Sequence, residues 1–350
     1  MLFDPKPKDR VSDLFNYKEE LRALLSGMGS KKIIIIKGVR RIGKTSLLKV
    51  AMNETKLPCV YMDGRFYSNR KEFMNGLKDA LLQLHSKASI RGKIGKILPK
   101  KLELYGIRIG LASEDLIELS KKVDREIEKG VLIVDEAQKL KRFGGDEIFA
   151  ALYDATKNIN FVFSGSEIGL IEEFIGSSAG SLYGRAVETI ELRRLQREQS
   201  LEFLRRGFLE NKKEWKEEEI EEAVDELDGI IGWLTLYGYF RLSNTHKTAL
   251  KRINEEAIKI AKDELEAFLR NKQEAGKRYL MILKAIAEAP RSWSDIRMVI
   301  EIEEKKRISE GRIFEYLKNL MAYSLVEKRE GTYRISDPVL QTAIKKMGRK

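Results

Sequence analysis

Eight consecutive residues match the pattern G-x-x-x-x-G-K-[ST], namely Gly38-Val39-Arg40-Arg41-Ile42-Gly43-Lys44-Thr45. A run of four isoleucines, Ile33 to Ile36, precedes them, and a segment with helical character, Ser46 to Met52, follows. β-Branched residues without alternation are typical of a parallel strand that is covered on both faces. The motif therefore predicts a strand, a phosphate-binding loop and a helix in that order, within a parallel α/β sheet.

The residue types of this loop suit phosphate groups. Glycines allow the backbone to turn successive N–H groups inward, and the N-terminus of the following helix adds a dipole that favours an anion. Lys44 is expected to reach the β- and γ-phosphates, with a catalytic role, and Thr45 to offer a hydroxyl to Mg²⁺. We predict that the nucleotide is bound by Gly38, Arg40, Arg41, Ile42, Gly43, Lys44, Thr45 and Ser46.

A pair of acids follows another apolar run, Val131 to Val134. Asp135 stands where a carboxylate holds Mg²⁺ through the water shell of the ion, since this small cation dehydrates reluctantly. Glu136 is expected to polarise the attacking water as the catalytic base. The alternative is that both acids cap a helix at the end of the strand. The occurrence of both acids together with the phosphate loop favours the catalytic interpretation.

Two serines and an arginine are weaker candidates. Ser164 and Ser166 follow the apolar run 161–163, at the edge of the predicted sheet where ligands bind in open α/β folds. Either serine is a candidate to sense the γ-phosphate or to orient water, and capping of the next helix is the alternative. Arg185 is a candidate to contact the γ-phosphate in its own or a neighbouring chain, and a surface salt bridge is the alternative.

The pattern along the chain predicts three regions. Apolar runs at 33–36, 59–62, 131–134 and 161–163, and a weaker one at 186–192, alternate with helical patterns, which favours a parallel α/β sheet over residues 1–192. The first helical pattern, 15–25, is predicted to stop at Gly27 and Gly29. Residues 193–275 are helical and densely charged. Residues 276–350 show three helical patterns followed by two short strands around Gly331, which predicts a winged helix.

Composition limits the compartments and partners that the chain can have. The net charge is +12, and 17 basic against 10 acidic residues lie within 277–350, which suits an acidic partner such as nucleic acid or phosphate ligands. A further basic stretch, 86–101, is interpreted as a solvated insertion or a binding loop.

The single cysteine, Cys59, is typical of a reducing compartment. Without a signal-peptide pattern or an apolar run near the ~20 residues of a membrane helix, we expect a cytoplasmic protein without membrane contact.

The motifs together point to a known family. They are Gly-x-Arg-Arg-x-Gly-Lys-Thr at 38–45, Val-Asp-Glu-Ala-Gln at 134–138, Ser-Gly-Ser at 164–166, Leu-Tyr-Gly-Arg at 182–185 and Ile-Ser-Asp-Pro at 335–338. As a set they resemble the archaeal ATPase family, P-loop proteins of the AAA+/STAND type. The resemblance spans nearly the whole chain. It implies an ASCE-class P-loop NTPase with sheet order 5-1-4-3-2, a helical lid and a winged helix, with ATP or ADP and Mg²⁺ as ligands.

The resemblance also assigns an adenine pocket, and the chain departs from the family at two places. Family members bind adenine near a segment Phe-x-x-Arg-x-x-Glu-Leu, which residues 13–21 match loosely and without the arginine. Phe15 and Tyr17 are the residues that this match assigns to the base, by stacking or backbone contact. In the lid, relatives carry a Gly-x-Pro motif, where this chain has Gly229-Ile230-Ile231. Contact between lid and nucleotide is therefore left open.

Three functions are compatible with these observations. The leading hypothesis is an ATP-binding switch with slow Mg²⁺-dependent hydrolysis, in which the γ-phosphate draws the lid and winged helix into one arrangement. The second is a DNA-associated ATPase that binds duplex DNA through the winged helix. Lys328 and Arg329 favour it, whereas Glu310 and Glu315 on the third helix favour a protein partner. A small-molecule kinase is the third, although a kinase needs no winged helix. The oligomeric state is left open.

Overall fold

The computed structural model describes residues 1–92, 113–175, 182, 184–270, 272 and 275–347. Its contacts divide the chain into two compact units. The first, here called the sheet unit, comprises Lys8–Gly38 and Lys44–Leu192. The second, here called the helical unit, comprises Met1–Pro7, Val39–Gly43 and Arg193–Lys350. The boundaries predicted at 192/193 and 275/276, which separate a core, a lid and a winged helix, stay a prediction.

The sheet unit is built on five parallel strands. They are β1 (Ile33–Lys37), β2 (Cys59–Asp63), β3 (Gly130–Asp135), β4 (Ile159–Gly165) and β5 (Val187–Glu191). Their order across the sheet is β2-β3-β4-β1-β5. This is the order 5-1-4-3-2 read from the other side, so the expected fold class is confirmed. Strands β1 to β4 fall on contiguous apolar runs, because buried parallel strands need apolar side chains on both faces. Strand β5 lies at the edge of the sheet on the weaker run 186–192, and Ile190 is its one buried residue.

Among the described residues, the sheet unit has six α-helices. They are α1 (Lys18–Ser30), α2 (Lys44–Glu54), α3 (Arg70–Gly92), α4 (Ser113–Glu126), α5 (Gly145–Ala155) and α6 (Ile168–Ile175). On one face, Ile33 and Ile35 of β1 join a core that contains Phe149 in contact with the rings of Phe161 and Phe163. The intervening isoleucines point to the opposite face, because side chains alternate along a strand. The basic stretch 86–101 lies mostly outside the described residues.

The predicted stop of the first helix at Gly27 and Gly29 is wrong. Helix α1 continues through both glycines to Ser30. A Cβ at position 27 would lie 2.8 Å from Cδ1 of Ile34. Gly27 therefore allows close packing of the helix on the strand, which outweighs the lower helix propensity of glycine, about 1 kcal/mol relative to alanine.

The helical unit contains the remaining elements. They are α7 (Arg197–Glu210), α8 (Glu217–Leu227), α9 (Ile231–Ser243), α10 (His246–Leu269), α11 (Ala275–Glu288), α12 (Trp293–Glu304), α13 (Glu310–Ala322), β6 (Val326–Arg329), β7 (Thr332–Ile335) and α14 (Pro338–Met347). Helices α11 to α13 with the antiparallel pair β6 and β7 form the predicted winged helix. The sequence patterns did not indicate α14, which packs against α10 and α11.

No helix in the described part of the chain has the length and apolar character that a bilayer span requires. The cytoplasmic localisation stays a prediction.

Candidate active site

The centre of the candidate site is the carboxylate of Asp135, the last residue of β3. It is fully buried and accepts hydrogen bonds on both oxygens. Its Oδ2 accepts the hydroxyls of Thr45 at 2.7 Å and Tyr61 at 2.8 Å. Its Oδ1 accepts the hydroxyl of Ser164 and the backbone N–H of Glu136, the latter at 3.0 Å. The carboxyl ends of parallel strands share one edge of the sheet. Residues that are far apart in the sequence can therefore contact the Asp135 carboxylate.

Glu136 follows directly and has an unusual backbone. Its φ of +50° lies in the left-handed region, which residues with a Cβ rarely adopt. Its carboxylate accepts hydrogen bonds on Oε2 from Nε2 of Gln138 at 2.7 Å and from the hydroxyl of Ser166 at 2.9 Å. A Cβ at Gly64 would lie 2.5 Å from the carbonyl oxygen of Glu136. Backbone and side chain of Glu136 are thus both held in place by neighbouring residues.

The phosphate-loop residues that belong to the sheet unit stand at the start of α2. Lys44 is buried, with 5% exposure, and its ammonium donates to the carbonyl oxygen of Gly38 at 2.7 Å. The ammonium therefore lies across the loop. Ser46, two residues on, accepts the backbone N–H of Lys8 at 3.0 Å through its hydroxyl.

The loop residues 39–43 belong to the helical unit. The carbonyl of Arg41 accepts the N–H of Gly232 at 2.9 Å, and its guanidinium carbon lies 4.3 Å from the ring centre of Trp233. The carboxylate of Glu264 on α10 lies 2.5 Å from the guanidinium of Arg40 and 3.5 Å from that of Arg41. Both predicted phosphate-binding arginines therefore have partners in this unit.

The other two residues of this loop segment have simpler environments. Ile42 is fully buried. Gly43 has φ +103°, a conformation that favours glycine because a Cβ would clash with the backbone. This explains why the motif carries glycine immediately before Lys44.

The donor set fits a magnesium ion. The hydroxyl of Thr45 and the carboxylate of Asp135 are hard oxygen donors, and they lie 2.7 Å apart. Mg²⁺ in proteins prefers such oxygens, with one or two carboxylates and the phosphates of a nucleotide completing its surroundings. These two residues are therefore the ones that would hold the ion.

The remaining three predicted residues are Phe15, Tyr17 and Arg185. Phe15 and Tyr17 are buried beside the start of α1, with 7% and 2% exposure, and burial raises the pKa of the Tyr17 hydroxyl. The guanidinium of Arg185 pairs with Asp154 at 2.5 Å and lies 5.2 Å from the ring centre of Tyr153. Because Arg185 precedes β5, it lies at the amino edge of the sheet. The structure does not bring it to Lys44 of the same chain.

The structure adds two residues that the motifs did not single out. Tyr61 reaches Asp135 from β2, and Gln138 reaches Glu136 from two residues along the chain. Gln138 belongs to the string Val-Asp-Glu-Ala-Gln, so its proximity to Glu136 was available from the sequence. Tyr61 could be found by aligning the strand ends, since Asp63 of β2 pairs with Asp135 of β3 and residues two apart share a face.

Two protein-family models match this chain. The family model of the ATPase domain predominantly from Archaea matches residues 14–236. The model of the MCM protein C-terminal winged helix-turn-helix domain matches residues 273–336. A search of curated proteins found no match.

The chain also resembles solved structures. A Walker-type ATPase of Pyrococcus abyssi is 33% identical, with a TM-score of 0.82, over 99% of this chain and 100% of that chain. A STAND protein with a tetratricopeptide repeat sensor from Pyrococcus horikoshii is 15% identical, with a TM-score of 0.39, over 97% of this chain and 44% of that one. The RuvB Holliday junction branch migration motor of Thermotoga maritima is 12% identical, with a TM-score of 0.45, over 96% of both chains. The last two likenesses carry no functional information.

The family match covers well over half of the chain, and the Pyrococcus abyssi relative aligns along its whole length. The matched region 14–236 includes the phosphate-loop motif, Asp135 and Glu136. The chain therefore belongs to the archaeal ATPase-domain family and is a P-loop ATPase with a C-terminal winged helix.

Proposed function

We propose that the chain is a nucleotide-controlled conformational switch, which binds ATP, hydrolyses it slowly with Mg²⁺ and transmits the state of the nucleotide to its winged helix. The observation that carries the proposal is a series of contacts within the helical unit, from Arg41 of the phosphate loop to the first turn of α14. A ligand shifts a conformational equilibrium only through contacts that differ between two arrangements. Arg41 supplies such a contact because it lies inside the loop.

The first link joins the loop to α9. Arg41 has φ +62°, and a left-handed conformation costs a residue with a Cβ roughly 1–2 kcal/mol. The hydrogen bond from Gly232 and the stacking on Trp233 offset this cost. A Cβ at position 232 would lie 2.7 Å from the Cβ of Arg41, so the approach is as close as glycine permits. Any displacement of Arg41 by a phosphate therefore acts directly on the start of α9.

The second link joins α9 to α14. The indole N–H of Trp233 donates to both carboxylate oxygens of Asp337, at 3.0 and 3.1 Å. The same carboxylate accepts the backbone N–H groups of Val339 and Leu340 at the start of α14, at 2.9 and 3.4 Å. Burial raises the pKa of Asp337, and the Trp233 bond acts against that rise. Asp337 thus caps the N-terminus of α14, and its buried carboxylate also accepts a hydrogen bond from the indole N–H of Trp233.

The charged groups around the phosphate loop favour different arrangements with and without a bound phosphate. Glu264 pairs with Arg40 and Arg41. A phosphate in the loop is a second anion for the same guanidinium groups, which bind phosphate oxygens in a bidentate manner. Competition between phosphate and Glu264 gives the nucleotide different contacts in the two arrangements.

Hydrolysis uses the residues of the sheet unit. Lys44 binds phosphate oxygens, and Thr45 and Asp135 hold Mg²⁺, which offsets the negative charge of the phosphates when bound. Glu136 accepts the proton of the attacking water, and Ser166 keeps its carboxylate in place. Slow turnover suits a switch, because the ATP-bound arrangement then persists until the γ-phosphate is lost.

Trp233→Phe is expected to separate nucleotide binding from the response of α14. Phenylalanine keeps a ring for Arg41 but removes the N–H that donates to Asp337, and a buried polar group that loses its partner costs about 1–3 kcal/mol. We expect nucleotide affinity close to that of the wild type. The difference in amide hydrogen exchange of α14 between ADP and a non-hydrolysable ATP analogue is expected to disappear.

The matched control is Trp215→Phe, because Trp215 stacks on Phe208 rather than on Arg41. This variant should keep the nucleotide-dependent exchange of α14. If exchange in the wild-type α14 is the same with both nucleotides, α14 does not respond and the switch proposal is wrong.

Binding of duplex DNA by the winged helix is the second candidate function. The wing favours it, since Lys328 and Arg329 are exposed. Helix α13 favours a protein partner instead, because it exposes the acids Glu310 and Glu315, which DNA phosphates repel, and leaves the ring of Phe314 59% exposed. We therefore favour a protein partner for the winged helix.

A titration of labelled duplex DNA decides between the two. Fluorescence anisotropy is measured at about 50 mM and about 200 mM salt, a range over which phosphate contacts lose orders of magnitude in affinity. The measurement is repeated with ATP, with ADP and without nucleotide. We expect no salt-sensitive binding. Binding that falls with salt, changes with nucleotide and is lost in the double variant Lys328→Ala, Arg329→Ala would assign the winged helix to DNA.

A further inference from the structure

One tyrosine reaches the Asp135 carboxylate from the neighbouring strand. Tyr61 stands on β2, which pairs with β3 so that Tyr61 lies beside Ile133. Its hydroxyl donates at 2.8 Å to Oδ2 of Asp135, the same oxygen that accepts the hydroxyl of Thr45. None of the motifs that define the nucleotide site includes Tyr61.

The hydrogen bond from Tyr61 has a fixed direction. A carboxylate has no proton to donate, so the Tyr61 hydroxyl is the donor and Oδ2 of Asp135 is the acceptor. A hydrogen bond to a carboxylate is roughly twice as strong as one between neutral groups. Since Asp135 is fully buried, its orientation is determined by donors of this kind.

The two donors to Oδ2 differ in how firmly they are held. Thr45 lies in the first turn of α2, directly after the phosphate loop, whereas Tyr61 is part of a strand hydrogen-bonded within the sheet. A donor in the sheet keeps the carboxylate oriented even when the loop and Thr45 change position. Outer partners of this kind typically contribute about 10–100-fold to metal affinity.

We propose that Tyr61 is a positioning residue for Mg²⁺, whose hydroxyl holds Asp135 in the orientation that places Oδ2 beside Thr45. This inference rests on the proposed function, in which Thr45 and Asp135 hold the ion. Tyr61 acts through Asp135 and does not itself contact the nucleotide or the metal.

The test measures how Mg²⁺ changes nucleotide affinity, without any turnover. A fluorescent ADP analogue is titrated into wild type and Tyr61→Phe over a series of Mg²⁺ concentrations and in EDTA. We expect the half-saturating Mg²⁺ concentration to rise about tenfold in Tyr61→Phe, in line with the loss of an outer partner. Affinity in EDTA is expected to be unchanged, which shows that the variant is folded and that its phosphate loop is intact.

A further variant makes the result specific. Tyr67→Phe removes a tyrosine hydroxyl from a ring that packs on Phe73, and it should need the same Mg²⁺ as the wild type. Equal Mg²⁺ requirements in wild type and Tyr61→Phe would overturn the inference. If Mg²⁺ leaves the affinity of the wild type unchanged, the proposed metal site itself is wrong.

Discussion

Lys44→Ala is expected to abolish nucleotide binding. The Lys44 ammonium is buried and lies across the phosphate loop, 2.7 Å from the carbonyl oxygen of Gly38. Each hydrogen bond that a charged group makes is worth about 1.5–3 kcal/mol, so losing the contacts to two phosphates lowers affinity by about 100-fold or more. Isothermal titration calorimetry with ATP and ADP measures the effect.

Lys49→Ala provides the control for Lys44→Ala, because Lys49 stands one turn further along α2 and outside the motif. It should bind ATP like the wild type, which separates the loss of a loop ammonium from the loss of positive charge in the helix. Retained micromolar ATP affinity in Lys44→Ala would contradict the assignment of the phosphate loop.

Glu136→Gln is expected to keep ATP binding and to stop hydrolysis. The amide has the shape of the carboxylate, and its oxygen can still accept the hydrogen bonds from Ser166 and Gln138. It cannot take the proton of the attacking water, and general base catalysis contributes typically about 10²–10⁴-fold. Release of inorganic phosphate, measured beside ATP affinity, gives both quantities for the same sample.

The exposed Glu147 near the start of α5 supplies the control for Glu136→Gln. Glu147→Gln removes one carboxylate without touching Asp135 or its neighbours, and its turnover should match the wild type. Normal turnover in Glu136→Gln would exclude Glu136 as the base and would direct attention to the other acids at this edge of the sheet, such as Asp63.

The architecture could be predicted because its signals are local. Strands β1 to β4 each contain a contiguous apolar run, and the phosphate loop is eight residues between a strand and a helix. The position of Arg185 is predictable for the same reason. Arg185 lies just before β5, and parallel strands begin at the amino edge of the sheet. Gly27 shows the limit of such reasoning, because a glycine within a helical pattern stops a helix or admits a neighbour, and the choice depends on Ile34, which the helix pattern does not contain.

The remaining parts of the site depend on contacts between distant residues. Tyr61 is one aromatic residue in an apolar strand, and its role becomes visible only when the ends of β2 and β3 are aligned with each other. The contact of Trp233 with Asp337 joins residues 104 positions apart. Neither pair has a spacing that a helix or strand period would reveal.

The grouping of residues 39–43 with residues 193–350 limits where the chain can be divided. A fragment that ends at residue 192 keeps every strand of the sheet and both acids at the end of β3. Its Arg41, however, loses Gly232 and Trp233, so nothing in the helical unit offsets the left-handed backbone at that position. The loop then favours other conformations, and nucleotide binding must restore the original one at a cost in affinity. A nucleotide-binding protein of full affinity is therefore expected to extend far beyond the last residue of its own sheet.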